Sequence, residues 1–299
     1  MSDSIKLNIQ KTPPFLKMPK FFSYFINRFF LIFLFLGGNL FGQNSDFEYG
    51  LINVGTGAVI SGIGAVINKD KDEKFGKVLL KGFGQGALGG YVIFESKRIL
   101  KLNSRTDSYS LIWPSKIINA AGNSIIENAA GNRNFWEQWH FNFGFNRFDI
   151  YTKDEFKLRY RIMPFSLATT IYGVINFKFD FSESLKLGTP VFRSSIIKFN
   201  GNDQINAAAR DNIILLKPGS TIESKTHELL HTYQYEQLSG LNVYLDKPSN
   251  KLGQNFKPYK FYRKYFYTDW NSLVYDIIYE INPKFENNYF EKEAEFFDN

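Results

Sequence analysis

Small residues at every fourth position dominate two long segments near the start of the chain. The segments 51–67 and 78–100 carry them as Gly57, Ser61 and Ala65 in the first and Gly82, Gly86 and Gly90 in the second. In an α-helix this spacing places the small residues on one face, where two helix backbones can approach closely. The pattern therefore predicts a close-packed helical hairpin, which we call the Gly-rich hairpin.

The polar and charged residues of its second segment indicate whether the Gly-rich hairpin lies in a membrane or in a soluble core. Lys81, Gln85 and Glu95 interrupt that segment, whereas a membrane-spanning helix is predominantly apolar over about 20 residues. We therefore favour a hairpin packed within a soluble core or against a sheet. The alternative is a membrane hairpin of the glycine-zipper kind, through which the protein would associate with a membrane.

The hydrophobic periodicity changes along the rest of the chain from helical to alternating. Residues 111–138 have helical spacing, with Pro114 suited to a first turn. Alternating or short apolar runs then predict strands at 139–146, 156–162, 172–181, 191–199 and Ile213–Leu216. The sequence thus predicts an α+β fold with a helical N-terminal part, an antiparallel sheet and C-terminal helices that carry the candidate site.

Residues 1–43 have the layout of a secretory signal peptide, for which Met18 is a possible true start. Basic residues precede the eight apolar residues Phe29 to Leu36, and a segment with small and polar residues suited to cleavage follows. The apolar run is short for a membrane span, which favours a cleaved signal over an anchor helix. The mature chain would begin near Asn44, and we expect an exported protein, periplasmic or associated with the outer membrane of a Gram-negative-like cell.

The length of 299 residues corresponds to one domain or at most two. We expect a Gly-rich helical region at 44–138, followed at 139–299 by the sheet and the helices of the candidate metal site. The two regions can form one continuous domain.

Composition and charge exclude several classes of site and partner. The chain has no Cys, which excludes disulfides, thiolate zinc sites and iron–sulfur clusters. Any metal must be held by carboxylates and by the three His of the chain. Of the net charge of +7, residues 1–43 contribute +4 and the remainder +3, so we expect no nucleic-acid partner.

Two of the three His lie in the sequence His227-Glu228-Leu229-Leu230-His231, an HExxH motif. On a helix, residues four apart share a face, so both imidazoles can bind one Zn²⁺ ion. Glu228 follows the first ligand and can act on a zinc-bound water as a general base without being a ligand itself.

A hydrolytic zinc site needs a third protein ligand and one open position. His140 is the remaining His, but its place on the polar side of the first strand suits a hydrogen-bonding role. Glu291 near the C-terminus is the better candidate, with Glu295 one helical turn further on and able to accept a hydrogen bond from a ligand imidazole. Glu293 or Glu295 is the alternative ligand, and Ala294 permits close packing against the His helix.

This combination of motifs resembles the gluzincin zinc metallopeptidases. That group pairs HExxH with a downstream Glu on a second helix, and here Glu291-x-x-Ala294-Glu295 follows His231 after a long insert. The extension of the motif to Gln234 is also similar to zincin-like domains of bacteria. The resemblance covers residues from about 210 to 299.

The resemblance implies a role for each matching residue. His227, His231 and Glu291 would hold Zn²⁺, Glu228 would be the base, and Glu295 would stand where the group usually has a shorter Asp. The strand Ile213–Leu216 would be the sheet edge along which an extended peptide binds.

These patterns lead to three functional hypotheses. The first is an exported zinc metallopeptidase that hydrolyses peptide or protein substrates. The second is a non-catalytic structural protein of the cell envelope that keeps a structural or relic zinc site. The third is a membrane-inserted metalloprotease that uses the Gly-rich hairpin. Tyr233, Tyr235 and the Tyr-rich stretch 259–267 hold candidates for transition-state stabilisation, although aromatic residues there more often serve packing.

Overall fold

A computed structural model describes residues 45–197, 205–281 and 288–298. The predicted signal peptide at 1–43 lies outside the described residues. Residues Ser45–Asn299 fall in one compact unit, so the helical region and the region after residue 138 belong together.

The Gly-rich hairpin consists of helices α1 (Asp46–Ile67) and α2 (Phe75–Thr106). The Ser45 side chain caps α1 by accepting the Glu48 N–H. The two backbones are so close that a Cβ added at Gly86 would lie 2.2 Å from the carbonyl oxygen of Gly57. The predicted close packing of the two helices is therefore confirmed.

Helix α1 is also the one helix in the described part of the chain that is long and apolar enough to cross a membrane. Core helices of soluble proteins and N-terminal signals pass the same criterion. In this structure α1 buries the polar residues Asn53 and Ser61 together with Gly57 against other helices. Association of the hairpin with a membrane stays a prediction.

The predicted helix around Pro114 is α3 (Ile112–Ala130), which packs against α1 and α2. Three antiparallel strands follow in the order β1-β2-β3, namely β1 (Gln138–Phe143), β2 (Asn146–Tyr151) and β3 (Lys157–Ile162). The sequence predicted β1 and β3 but missed β2, because a tight turn at Gly144, with φ of 57°, ends β1 before Phe145.

The predicted strand at 172–181 is wrong. Most of this stretch belongs to helix α4 (Pro164–Asn176) and helix α5 (Phe181–Leu187), with only the two-residue strand β4 (Lys178–Phe179) between them. Pro164 occupies the first turn of α4, a position that Pro favours at a helix start.

The second sheet is mixed rather than antiparallel. Its strands are β4, β5 (Val191–Arg193), β6 (Ala207–Arg210) and β7 (Ile213–Leu216), in the order β4-β5-β7-β6. β5 and β7 run parallel, and the other pairs are antiparallel. β7 therefore lies inside this sheet, and β6 is the edge strand beside the candidate site, contrary to the expectation for Ile213–Leu216.

The C-terminal part is helical in the residues described. It contains α6 (Ile222–Gln237), a 3-10 helix (Leu238–Leu245), α7 (Asp246–Asn255), α8 (Lys257–Tyr265), α9 (Asn271–Ile281) and α10 (Tyr289–Asp298). The Thr221 side chain caps α6 by accepting the Ser224 N–H. Helix α6 packs against α2, α10 and β6 and thereby holds the HExxH motif between the hairpin and the second sheet.

Candidate metal centre

Three potential ligand atoms converge between α6 and α10. Nε2 of His227 lies 3.2 Å from Nε2 of His231, and Oε2 of Glu291 lies 3.3 Å from the first and 3.4 Å from the second. The side chains are largely buried, with exposed fractions of 13% for His227, 10% for His231 and 5% for Glu291. The structure thus brings together the three residues that the motif predicts as ligands.

The spacing of these atoms matches a tetrahedral zinc site. Ligand atoms about 2.0–2.1 Å from a tetrahedral Zn²⁺ ion are about 3.3 Å apart, and all three separations are close to this value. Two imidazole nitrogens and one carboxylate oxygen are also a ligand set that zinc accepts. The residues present therefore fit the ion that the motif implies.

The other nitrogen of each imidazole faces a hydrogen-bond acceptor. Nδ1 of His227 lies 2.6 Å from Oδ2 of Asp298, and Nδ1 of His231 lies 2.8 Å from Oε1 of Gln234. These acceptors favour a proton on each Nδ1, which leaves the Nε2 lone pairs directed at the common centre. In the absence of a metal ion, burial lowers the pKa of His227, but hydrogen bonds to Asp298 and Glu291 outweigh it and raise that pKa to about 10. Metal binding would therefore displace the proton that Nε2 of His227 shares with Glu291.

The carboxylate at Nδ1 of His227 is Asp298 and not Glu295, which is exposed on α10. Asp298 lies seven residues after Glu291, two helical turns along the same face. That spacing is the sequence signal that could have identified it. Tyr279 on α9 was also missed, and its hydroxyl donates a hydrogen bond to Oε1 of Glu291.

Glu228 is buried beside the three converging residues, between α6 and the edge strand β6. Its carboxylate accepts a hydrogen bond from the backbone N–H of Ala209 on β6. Burial raises the pKa of Glu228, although the neighbouring His231 and His227 partly oppose this shift. A carboxyl group with a raised pKa next to a metal site is suited to accept and return a proton.

His140 and the two Tyr of α6 lie elsewhere. The backbone N–H of His140 donates to Oγ of Ser124, and its Nδ1 lies 3.2 Å from that oxygen and 3.6 Å from Oε2 of Glu127. Burial lowers the pKa of His140 to about 4, so this residue is a neutral core histidine. Tyr233 and Tyr235 are also buried in the core. The Tyr233 hydroxyl accepts a hydrogen bond from Ser115, and the Tyr235 hydroxyl forms hydrogen bonds with Ser166 and Asp269.

The Gln234 side chain also belongs to a buried network of polar residues. Its amide group donates to Oε2 of Glu293 at 2.9 Å, and the same oxygen lies 2.8 Å from Nζ of Lys97 on α2. Lys97 is fully buried and also donates to Asn53 and Gln237 at 2.9 and 3.0 Å. The network therefore connects the His231 imidazole to both helices of the Gly-rich hairpin.

Comparisons with known proteins add no relative to this description. No family model matches the chain, and no match was found among curated proteins or among solved structures.

Proposed function

We propose that this chain is a zinc-dependent metallopeptidase that hydrolyses peptide bonds in peptide or protein substrates. The observation that carries the proposal is the convergence of His227, His231 and Glu291 at tetrahedral spacing, with Glu228 buried alongside. The resemblance of the two motifs to the gluzincins supports the same assignment, with Asp298 in the place first given to Glu295.

The residues of the chain divide the chemistry among them. Zinc held by His227, His231 and Glu291 would act as a Lewis acid that activates water and polarises a carbonyl group. Glu228 takes the proton of the attacking water and then returns it to the leaving amine. Its raised pKa helps it to hold the proton between the two transfers. Asp298 and Gln234 keep the imidazoles of His227 and His231 aimed at the centre.

The edge strand β6 supports a peptide as the substrate. An extended peptide can add to a free sheet edge through main-chain hydrogen bonds. Because the Ala209 N–H of β6 points at Glu228, a peptide along this edge would run past the proposed base. The signal-peptide layout of residues 18–43 supports an activity outside the cytoplasm.

One observation favours a second candidate function, a non-catalytic cell-envelope protein with a structural or relic zinc site. The converging side chains are at most 13% exposed, and a buried network braces them, as is typical of metal sites that serve folding. Glu228 distinguishes the two functions, because metal binding by His227, His231 and Glu291 does not require a second acidic residue at this position.

The test compares Glu228→Gln with Glu223→Gln, an exposed residue on the same helix. We expect about one zinc per chain in the wild type and in both variants by elemental analysis, and loss of zinc in His231→Ala and Glu291→Ala. Peptidase activity should fall by about 10²- to 10⁴-fold in Glu228→Gln, since that change removes the general base. The Glu223→Gln variant should keep the wild-type rate.

Retained peptidase activity in Glu228→Gln would contradict the proposed peptidase function, in which Glu228 is the general base. A full zinc site with no activity against any peptide library would favour the structural protein. Absence of zinc in the wild type after reconstitution would contradict both.

A further inference from the structure

A cavity of about 240 Å³ lies between β3, the 3-10 helix and helices α7 and α8. None of its lining residues belongs to the candidate metal centre. Its wall contains four guanidinium groups, from Arg133, Arg159, Arg161 and Arg263. Two carboxyl groups, Glu127 and Asp246, face the same space.

The acidic groups around this cavity are shared among several arginines. Glu127 forms a two-pronged ion pair with the fully buried Arg147, at 3.0 and 2.7 Å. Asp149, behind the wall, pairs with Arg147 at 2.9 Å and with Arg161 at 2.6 Å. The carboxylates of the inner wall are therefore already engaged with Arg147 and Arg161.

The outer arginines have weaker acidic partners. Asp246 lies 3.7 Å from Arg133 and 3.9 Å from Arg263, beyond direct hydrogen-bond distance of either guanidinium group. Arg159 donates only to the main-chain oxygens of Arg263 and Lys264, and within the described residues no carboxylate pairs with it. Four arginines thus line the cavity against two acidic residues, an excess of positive charge in a partly enclosed space.

Aromatic rings form another side of the cavity. Tyr262 and Phe266 stack with ring centres 5.0 Å apart and an interplanar angle of 7°, and Tyr259 stacks on Tyr262 at 5.9 Å. Rigid rings exclude water from one side, which strengthens charge interactions inside the cavity. Guanidinium groups in a fixed fork geometry match the paired oxygens of carboxylates and phosphates.

We propose that this cavity binds a small ligand through an oxyanion, a carboxylate or a phosphate group, with Arg159 and Arg263 as its main cationic contacts. The site is separate from the candidate metal centre, and the proposal holds whether or not the chain is a peptidase.

Isothermal titration calorimetry with inorganic phosphate and with succinate tests this proposal. We expect at least one probe to bind the full protein, with affinity that falls as sodium chloride is added. Arg159→Gln and Arg263→Gln should each weaken binding about tenfold or more, since each removes a charged fork. The matched control is Arg98→Gln, an arginine on α2 that pairs with Glu95 outside the cavity.

Two further variants make the outcome decisive. Arg159→Lys keeps the charge at a partly exposed position and should bind the probe more weakly than the wild type but more tightly than Arg159→Gln. His231→Ala should bind the probe as the wild type does. Binding of phosphate alone or succinate alone would identify the oxyanion. No binding of either probe, equal binding by Arg159→Gln and Arg98→Gln, or loss of binding in His231→Ala would overturn the proposal.

Discussion

The imidazoles of the two candidate ligands, His227 and His231, are oriented by residues of different helices. His231 is held by Gln234 of its own helix, whereas His227 depends on Asp298, two turns along α10 from Glu291. Groups that orient a metal ligand typically contribute 10- to 100-fold to metal affinity. We therefore expect Asp298 to contribute to metal affinity through its contact with His227.

Asp298→Ala should weaken zinc binding by about 10- to 100-fold, because His227 loses the acceptor that fixes its tautomer and ring orientation. Competition against a chromophoric chelator measures the zinc affinity of each variant. Glu295→Ala, on the same helix but exposed, should leave that affinity unchanged. If Glu295→Ala were the more damaging change, the original assignment of Glu295 from the sequence would be correct and the contact to Asp298 irrelevant.

The HExxH pair could be predicted because its geometry is local, and Glu291 because the downstream Glu motif resembles that of the gluzincins. A spacing of four residues on one helix brings His227 and His231 together without knowledge of the fold. The contacts of Asp298 with His227 and of Tyr279 with Glu291 depend in addition on how α6, α9 and α10 pack, which the spacing within one helix does not give.

His140 makes stability depend on pH in a defined window. Burial lowers its pKa to about 4 in the folded chain, below the ordinary value of 6.5. The unfolded state therefore binds more protons between these values, so stability is complete above pH 6.5 and is lost as the pH falls toward 4. The loss amounts to about 3 kcal/mol at most.

Urea unfolding of wild type and His140→Asn across pH 5 to 7 measures this effect. The wild type should lose unfolding free energy on acidification, and the variant should lose less over the same range. Glu127 interferes little there, because its pKa is lowered to about 2 and its own contribution declines only below its ordinary value of 4.5. Equal slopes for the two proteins would show that His140 does not titrate as a buried group.

At the level of elements, the glycines of α2 are not equivalent. A Cβ at Gly90 would lie 2.2 Å from the carbonyl oxygen of Asn53 on α1, whereas a Cβ at Gly84 meets nothing within 4 Å. Both residues lie in the same helix, so both gain the same helix propensity when changed to Ala. Only the position relative to α1 distinguishes them.

Gly90→Ala should cost about 1–3 kcal/mol, because the helices must separate to admit the methyl group. Gly84→Ala should instead stabilise the chain by about 0.5–1 kcal/mol, since Ala is the better helix former. Thermal unfolding of the two variants beside the wild type checks the opposite signs. Equal effects would contradict the close contact between α1 and α2.

The period of β1 was predicted correctly, but its buried face was not. In β1 the buried residues are His140 and Asn142, while Phe141 and Phe143 are only partly buried. Helix α4 was not predicted, and its buried face is likewise polar or small: it carries Ser166, Thr170 and Gly173, while the apolar Ile175 is 75% exposed. Prediction from periodicity assumes that the apolar face turns inward. That assumption fails where buried ion pairs and hydrogen bonds, such as those of Arg147 and Asp269, occupy the interior instead.

On the scale of the whole molecule, one buried network joins the first helices to the last. Asn53 of α1, Lys97 of α2, Gln234 of α6 and Glu293 of α10 form a continuous set of hydrogen bonds. The Gly-rich hairpin is therefore a structural support for the candidate metal centre. Neither Lys97 nor Glu293 could be recognised as a pair from sequence, since 196 residues separate them.

Lys97→Met should destabilise the protein by about 3–5 kcal/mol, because the buried Glu293 carboxylate loses its charged partner. The double variant Lys97→Met/Glu293→Gln should lose less than the sum of the single variants, since it buries no unpaired charge. Arg98→Met is the control on the same helix. It removes the exposed ion pair of Arg98 with Glu95, which should cost less than about 1 kcal/mol of stability. Urea unfolding of the zinc-loaded proteins measures all four. If Lys97→Met cost no more than Arg98→Met, the network would not stabilise the fold.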